Sequence, residues 1–175
     1  LRKKLEFLNR TNVTIIFPSK WLKQNFIKAM CGSELQCRTE VTRNVASPDF
    51  FITPKVNLKK LFFVASKLSD PNKGFHLLQK YNSFFQDQFD EIVVIGSTLN
   101  TKVNRNMNFL GVVNKEDLVD NFRSGGIYLH LAERDNSPNT LIEACSAGLI
   151  PIVLNGSGAQ EYVESINFKV PLLVD

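Results

Sequence analysis

No stretch of this sequence approaches the ~20 consecutive apolar residues of a membrane-spanning helix. Its basic start, Leu1-Arg2-Lys3-Lys4, is not followed by the apolar run of a secretory signal. An initiating Met is missing too, so the chain is expected to be a piece of a longer protein. Cysteine is scarce. Cys31, Cys37 and Cys145 are odd in number and contain no C-x-x-C pair, which argues against a disulfide framework and a structural zinc site. Reduced thiols in a cytosolic protein are the expectation. Aromatic RNA-binding signatures and zinc-finger spacings are also lacking, so nucleic acid is not an expected partner.

What remains has the profile of a globular chain: 43% apolar and 22% charged residues over 175 positions. A chain of that length buries roughly 70% of the surface its unfolded form exposes, enough for one core. The net charge of +4 is unevenly spread. Residues 1–60 carry 12 Lys/Arg against 4 Asp/Glu, and the rest carry 9 against 13. A basic leading segment suits a solvated helix face first, and an anionic lipid surface second.

From about residue 60 onward, short apolar runs alternate with helical patterns. Strands are expected at Lys60–Ser66, Glu91–Gly96, Asn108–Val113, Ile127–Leu131, Ile150–Leu154 and Pro171–Val174. Helices are expected across Gly74–Asp87, Lys115–Ser124, Pro138–Ala147 and Ala159–Glu164. Strands alternating with helices imply parallel pairing by right-handed crossovers, and near-continuous apolar strands imply a sheet covered on both faces. The expected fold class is therefore α/β, a Rossmann-like doubly wound parallel sheet. Such sheets bind ligands at the carboxyl ends of their strands. Ahead of it, Asn12–Phe17 reads as a strand, Ser19 opens a helix with Trp21, Leu22, Phe26, Ile27 and Met30 on one face, and Cys37–Arg43 reads as extended. That piece is too small to own a core, so residues 1–54 are expected to be the tail of a preceding domain plus a connector. Residues 55–175 are expected to form the Rossmann-like domain, cut short at its C-terminal end.

Two stretches carry chemistry. In Glu133–Gly148, a strand delivers the chain to Asp135, and Ser137 is positioned to cap a helix with Pro138 in its first turn. The free amides and positive end of such a helix attract anions, while Glu143 on the same helix can accept hydrogen bonds from a ribose diol. In Phe62–Phe75, Lys67 follows a strand and Lys73-Gly74 precedes a helix, so two cations converge on one corner able to stabilise a diphosphate leaving group. Each stretch has a plain alternative: a well-capped helix with a surface Glu, and solvated loop lysines. Asn155–Glu161 begins G-x-G, but Glu161 stands where a dinucleotide fingerprint needs a small residue, and no Gly-rich loop follows the strand at Lys60.

Taken in order, these motifs resemble the group 1 (family 4) retaining glycosyltransferases of the two-Rossmann GT-B fold. The resemblance runs from about Asn12 to Asp175. Ile16–Leu22 looks like the late N-domain strand, Ser and helix. Val45–Phe51 stands loosely where the family has an Asn-Gly-x-Asp connector, Ser66-Lys67-Leu68 resembles the Gly-Arg-Leu strand end, and Asp70–Gly74 resembles the Lys-Gly motif. Ile95-Gly96, Phe109–Gly111 and Gly156–Glu161 match further landmarks, and Asp135–Glu143 matches the paired-acid motif. The sequence departs from the pattern at Lys67, where Arg is usual and the bidentate fork is lost, and at Asp135, where Glu is usual. Glu133 stands two positions too early to be the first acid.

The resemblance implies a hexosyltransferase-type enzyme that moves a sugar from a UDP- or GDP-type nucleotide diphosphate-sugar to a lipid-linked or saccharide acceptor, in cell-envelope polysaccharide or glycolipid synthesis. It implies no metal ion and no other cofactor, because protein cations neutralise the diphosphate. Lys67 and Lys73 would hold the leaving group, and Asp135 would meet the donor sugar. Gly74 and the amides around Ser137, Asn139 and Thr140 would line the sugar–phosphate pocket. Glu143 would hold the ribose, and the backbone near Val112 and Val113 would face the base. The acceptor site would belong mainly to the protein's own N-terminal domain, so the isolated polypeptide is expected to bind nucleotide weakly and transfer little. A cytoplasmic location, with peripheral contact at the inner face of the membrane, is the corresponding expectation. The alternative is a non-catalytic Rossmann module that binds nucleotide or sugar.

Overall fold

Five apolar runs do pair side by side. The computed structural model describes residues 6, 8, 12–30, 37–97 and 107–166. Strands β3 (Lys60–Lys67), β4 (Glu91–Ser97), β5 (Asn108–Gly111), β6 (Ile127–His130) and β7 (Ile150–Val153) form one sheet in the order β5-β4-β3-β6-β7. Every pairing in it is parallel. A separate two-stranded parallel sheet joins β1 (Thr14–Phe17) to β2 (Arg38–Val41), connected through helix α1 (Lys20–Ala29). The expected strand at 171–174, the basic start at 1–4 and Cys31 lie outside the described residues. Cys37 and Cys145 are free.

The period-2 alternation of β3 builds two cores. Phe62 faces one side with Tyr128, Phe122, Leu141 and Ala144; Leu61, Phe63 and Ala65 face the other with Phe75, Leu78, Val94 and Leu129. On the first side lie α4 (Lys115–Arg123), α5 (Asn139–Ser146) and α6 (Gly158–Ser165). Here Phe122 meets the Phe62 ring edge-on at 5.5 Å, a packing worth about 0.5–1.5 kcal/mol beyond the area it buries. On the second side lie α2 (Phe75–Lys80) and α3 (Asn82–Gln88). The helix expected across 74–87 is thus two helices, broken where Tyr81 leaves helical geometry at φ −102° and ψ 21°. The break keeps the apolar stripe, because Phe75, Leu78, Asn82 and Phe85 remain on the buried face.

Strand order reverses between β3 and β6, since β4 and β5 lie on one side of β3 and β6 and β7 on the other. The β3–β6 ladder contains only Leu61↔Ile127 and Phe62↔Tyr128. Both strands then continue, β3 to Lys67 and β6 to His130, paired to their outer neighbours but not to each other. They part at their carboxyl ends, which opens a crevice at the switch point of the sheet, the place where open α/β sheets take ligands. A bulge in β3 sits beside it. Three steps along the chain from Val64 to Lys67 oppose two from Ile95 to Ser97, and bulges of this kind redirect side chains next to active sites.

Candidate functional site

The crevice is a cavity of about 200 Å³ lined by Phe63–Ser66 of β3, by Lys73, by Leu129–Ala132, and by Asp135, Ser137, Asn139 and Thr140. Its polar lining comes from three chain segments, and two glycines bring them together. Gly74 follows a short 3₁₀ turn, Pro71–Lys73, and has φ 76°. A Cβ there would collide with the Leu131 carbonyl oxygen, so only glycine allows the Lys73 corner to press on the end of β6. Gly158 plays the matching part behind the next loop. Its amide donates to the Asp135 carbonyl at 3.0 Å, and a Cβ there would meet the Asp135 and Asn136 carbonyls at 2.6 Å.

Held in this way, Lys73 Nζ lies 3.4 Å from Asp135 Oδ2. The Asp135 side chain is 14% exposed, and its other oxygen accepts the Ser137 amide at 3.3 Å. The neighbouring Glu133 is exposed. Of the two acids between which the motif spacing decided, Asp135 is therefore the one at the cavity.

Helix α5 aims its first turn at the same cavity. The expected Ser137 cap is off by one residue, because the cap position is Pro138, which has extended backbone (φ −76°, ψ 93°) and no side-chain oxygen to offer. The ring of Pro138 disfavours helical backbone at residue 137, and the Ser137 amide turns to Asp135 instead. Consequently no side chain at the cap occupies the leading amides of α5. Tyr128 donates its hydroxyl to Thr140 Oγ1 at 2.8 Å, which leaves the Thr140 proton free to donate to a ligand. Burial pushes the Tyr128 phenol far above its ordinary range, so it stays protonated. Asn139 is steadied from the N-terminal segment, where Asn44 Nδ2 donates to its Oδ1 at 2.8 Å.

Other expected residues lie outside the cavity lining. Lys67 ends β3, one position after the bulge and after cavity-lining Ser66, and is exposed. Glu143 stands one turn beyond Thr140 on α5, half-buried, its carboxylate without a hydrogen bond or ion pair among the described residues. Burial raises its pKa above the usual carboxylate value. Val112 is exposed and Val113 half-buried just past β5.

Sequence reasoning passed over two residues. His130 lines the cavity from the last position of β6, beside Asp135, with its Nε2 3.6 Å from Oδ2. Burial, with Lys73 adding to it, drives its pKa well below the ordinary value against the pull of Asp135, so the ring is neutral. A titratable residue at the carboxyl end of a strand was the available signal. Glu161, read as a misfit in a Gly-rich turn, is a long-range cap. Its carboxylate accepts the Trp21 amide at 2.8 Å and the Lys20 amide at 3.1 Å, at the start of α1. Arg43 lies 3.6 Å from the same group, and Trp21 Nε1 donates to the Gly156 carbonyl at 2.7 Å. These contacts seat α1 against the main sheet's last helix. An open groove follows between α1 and the Asp70–Lys73 turn, with Lys73 and Arg134 in its wall.

A neutral imidazole, a lysine beside a carboxylate, and an uncapped helix tip in one crevice suit a ligand that is anionic at one end and hydroxylated at the other. Comparison with known proteins gives a family and a fold. Residues 49–168 match the family described as glycosyl transferases group 1. A glycosyltransferase from Rickettsia africae ESF-5 superposes with a TM-score of 0.70 at 16% identity, covering 95% of this chain and 51% of that one. WaaG, a glycosyltransferase involved in lipopolysaccharide biosynthesis, superposes at 0.64 with 17% identity, covering 90% and 48%. The trehalose-6-phosphate synthase OtsA gives 0.65 at 15% identity, covering 93% and 50%. The chain thus spans about half the length of these structures. No curated protein matches it. At such identities the structures establish the fold, a Rossmann-like parallel sheet like the C-terminal half of GT-B glycosyltransferases. No helix among the described residues is long and apolar enough to cross a membrane.

Proposed function

The chain belongs to the group 1 glycosyl transferases, and on that footing we propose that it is the donor-binding part of a retaining, family 4 glycosyltransferase. The observation that carries this reading is the Lys73–Asp135 pair beside the leading turn of α5, in one cavity at the switch point of the sheet. Lys73 and the α5 amides take the diphosphate and stabilise it as it leaves, replacing a bound metal ion. Asp135 accepts hydrogen bonds from hydroxyls of the transferred sugar. Glu143, half-buried and unpaired, accepts them from the ribose. Lys67 adds a second cation from the rim, and the backbone at Val112–Val113 faces the base. Gly74 lets the Lys73 corner approach.

We assign residues 1–54 to the tail of the acceptor domain and 55–175 to the donor domain, with the acceptor approaching over the groove beside α1. The protein then acts in the cytoplasm, at the membrane face, on a lipid-linked or saccharide acceptor of envelope synthesis. The isolated chain transfers little, because most of the acceptor site lies in the other domain.

The test is a panel of UDP- and GDP-hexoses incubated with the full-length protein, with product anomers followed by proton NMR. The reading expects one donor to be consumed and its sugar to appear first in the donor's own anomeric configuration. Inversion would overturn the retaining assignment, and consumption of no donor would overturn the enzyme.

A further inference from the structure

One polar atom at the cavity has no partner. His130 is 6% exposed, and its Nε2 makes no hydrogen bond. An atom left in that state is costly, and its neighbours hold it there. The imidazole lies nearly parallel to the Tyr128 ring, two residues earlier on the same face of β6, at 6.3 Å and 20°, and Tyr128 is anchored by its bond to Thr140. Asp135 Oδ2 lies 3.6 Å away, just beyond hydrogen-bond reach. Beside a carboxylate only the Nε2–H tautomer is attractive. The same oxygen lies 3.4 Å from Lys73 Nζ, a separation long for a charged pair. Asp135 Oδ2 therefore has two donors near it and is fully engaged by neither.

The tie to Lys73 is the weaker one in function. If the cavity takes a nucleotide diphosphate-sugar, the diphosphate competes for the ammonium with more negative charge than one carboxylate carries. We propose that His130 is the positioning residue for Asp135: as the diphosphate draws Lys73 away, the Nε2–H closes on the Asp135 carboxylate and holds it toward the transferred sugar. This inference rests on the donor-site reading above. The imidazole is neutral, so the contact adds no net charge to the site. A carboxylate held by two directional donors, the Ser137 amide on one oxygen and His130 on the other, has a fixed plane. That is what reading a particular sugar hydroxyl requires.

The experiment has two arms on the same chain. In the unaltered chain, nitrogen-detected NMR follows the His130 ring; the only other histidine, His76, is exposed on α2 and serves as the internal control. Adding UDP or GDP, whichever binds, should move the His130 Nε2–H downfield and slow its exchange, with His76 unmoved. In the second arm, His130→Leu should weaken binding of the nucleotide hexose about tenfold and that of the free nucleoside diphosphate by less, because only the hexose also meets the Asp135 carboxylate. His130→Gln, which keeps an N–H donor, should restore most of the loss. If nucleotide binds but the His130 signals stay still, or Leu and Gln behave alike, the positioning role is wrong and the donor site stands. If neither nucleotide binds the unaltered chain, both readings fall together.

Discussion

Lys73 and Asp135 are 62 positions apart in sequence, yet Nζ and Oδ2 stand 3.4 Å from each other at the mouth of the cavity. Nothing in either residue brings this about. The approach is set by Gly74, whose left-handed backbone and missing Cβ let the Lys73 turn lie on Leu131. Gly74→Ala should therefore push the two segments apart. We expect a loss of more than about 1 kcal/mol in denaturant unfolding, together with loss of nucleotide binding. An unchanged unfolding midpoint would show that the contact is not tight.

In its proposed ribose-binding role, Glu143 gives the site a pH dependence. Its folded-state pKa is raised by burial, and only the ionised form accepts two ribose hydroxyls. Affinity for nucleotide should be level at neutral pH and fall as pH drops through that raised value, beginning at a higher pH than an exposed Glu would give. Titrations at stepped pH on the chain and on Glu143→Gln check this, since the variant should bind more weakly and lose the acid-side decline.

Glu161 acts at a distance of 140 residues on the amides that open α1. Glu161→Ala should cost about 0.5–2 kcal/mol, the worth of a helix cap. The loss should be local. Hydrogen exchange at Lys20 and Trp21 should quicken, while the amides of β3 and β4 keep their protection.

His130 should leave a mark on stability as well. Its folded pKa is depressed below the unfolded value near 6.5. Above that value both states are neutral and the residue contributes no pH dependence. Below it the unfolded chain gains a proton that the folded chain refuses, so stability falls, with a slope of no more than about 1.4 kcal/mol per pH unit from this group. Chemical denaturation between pH 7.5 and 5 should show a slope in the unaltered chain that His130→Leu reduces.

The sheet was legible because its signal is local. An apolar run needs only its own composition to read as a covered strand, and in β3 the residues Leu61 to Ala65 are buried or half-buried as the run implies. The pairing of Asp135 with the Lys73 corner was legible through motif spacing and topology, since both follow strands that end at one edge of the sheet. Three features were not. The break at Tyr81 preserves the apolar stripe, so periodicity cannot reveal it. The parting of β3 and β6 after Phe62 and Tyr128 is a matter of pairing, which single runs do not encode. The roles of Glu161 and His130 depend on partners brought close only by folding. Ser137 shows the limit at one-residue scale: the cap fell on Pro138 because the proline ring constrains its predecessor.

The central claim is that the crevice between β3 and β6 binds a diphosphate through Lys73 and the tip of α5. Titration calorimetry of the chain with UDP and with GDP tests it most directly, run beside Lys73→Ala. The account predicts measurable binding of at least one nucleotide and a loss of about tenfold or more in the variant, the worth of a charge-assisted contact. Equal binding by the two chains, or heat from neither nucleotide, would contradict it.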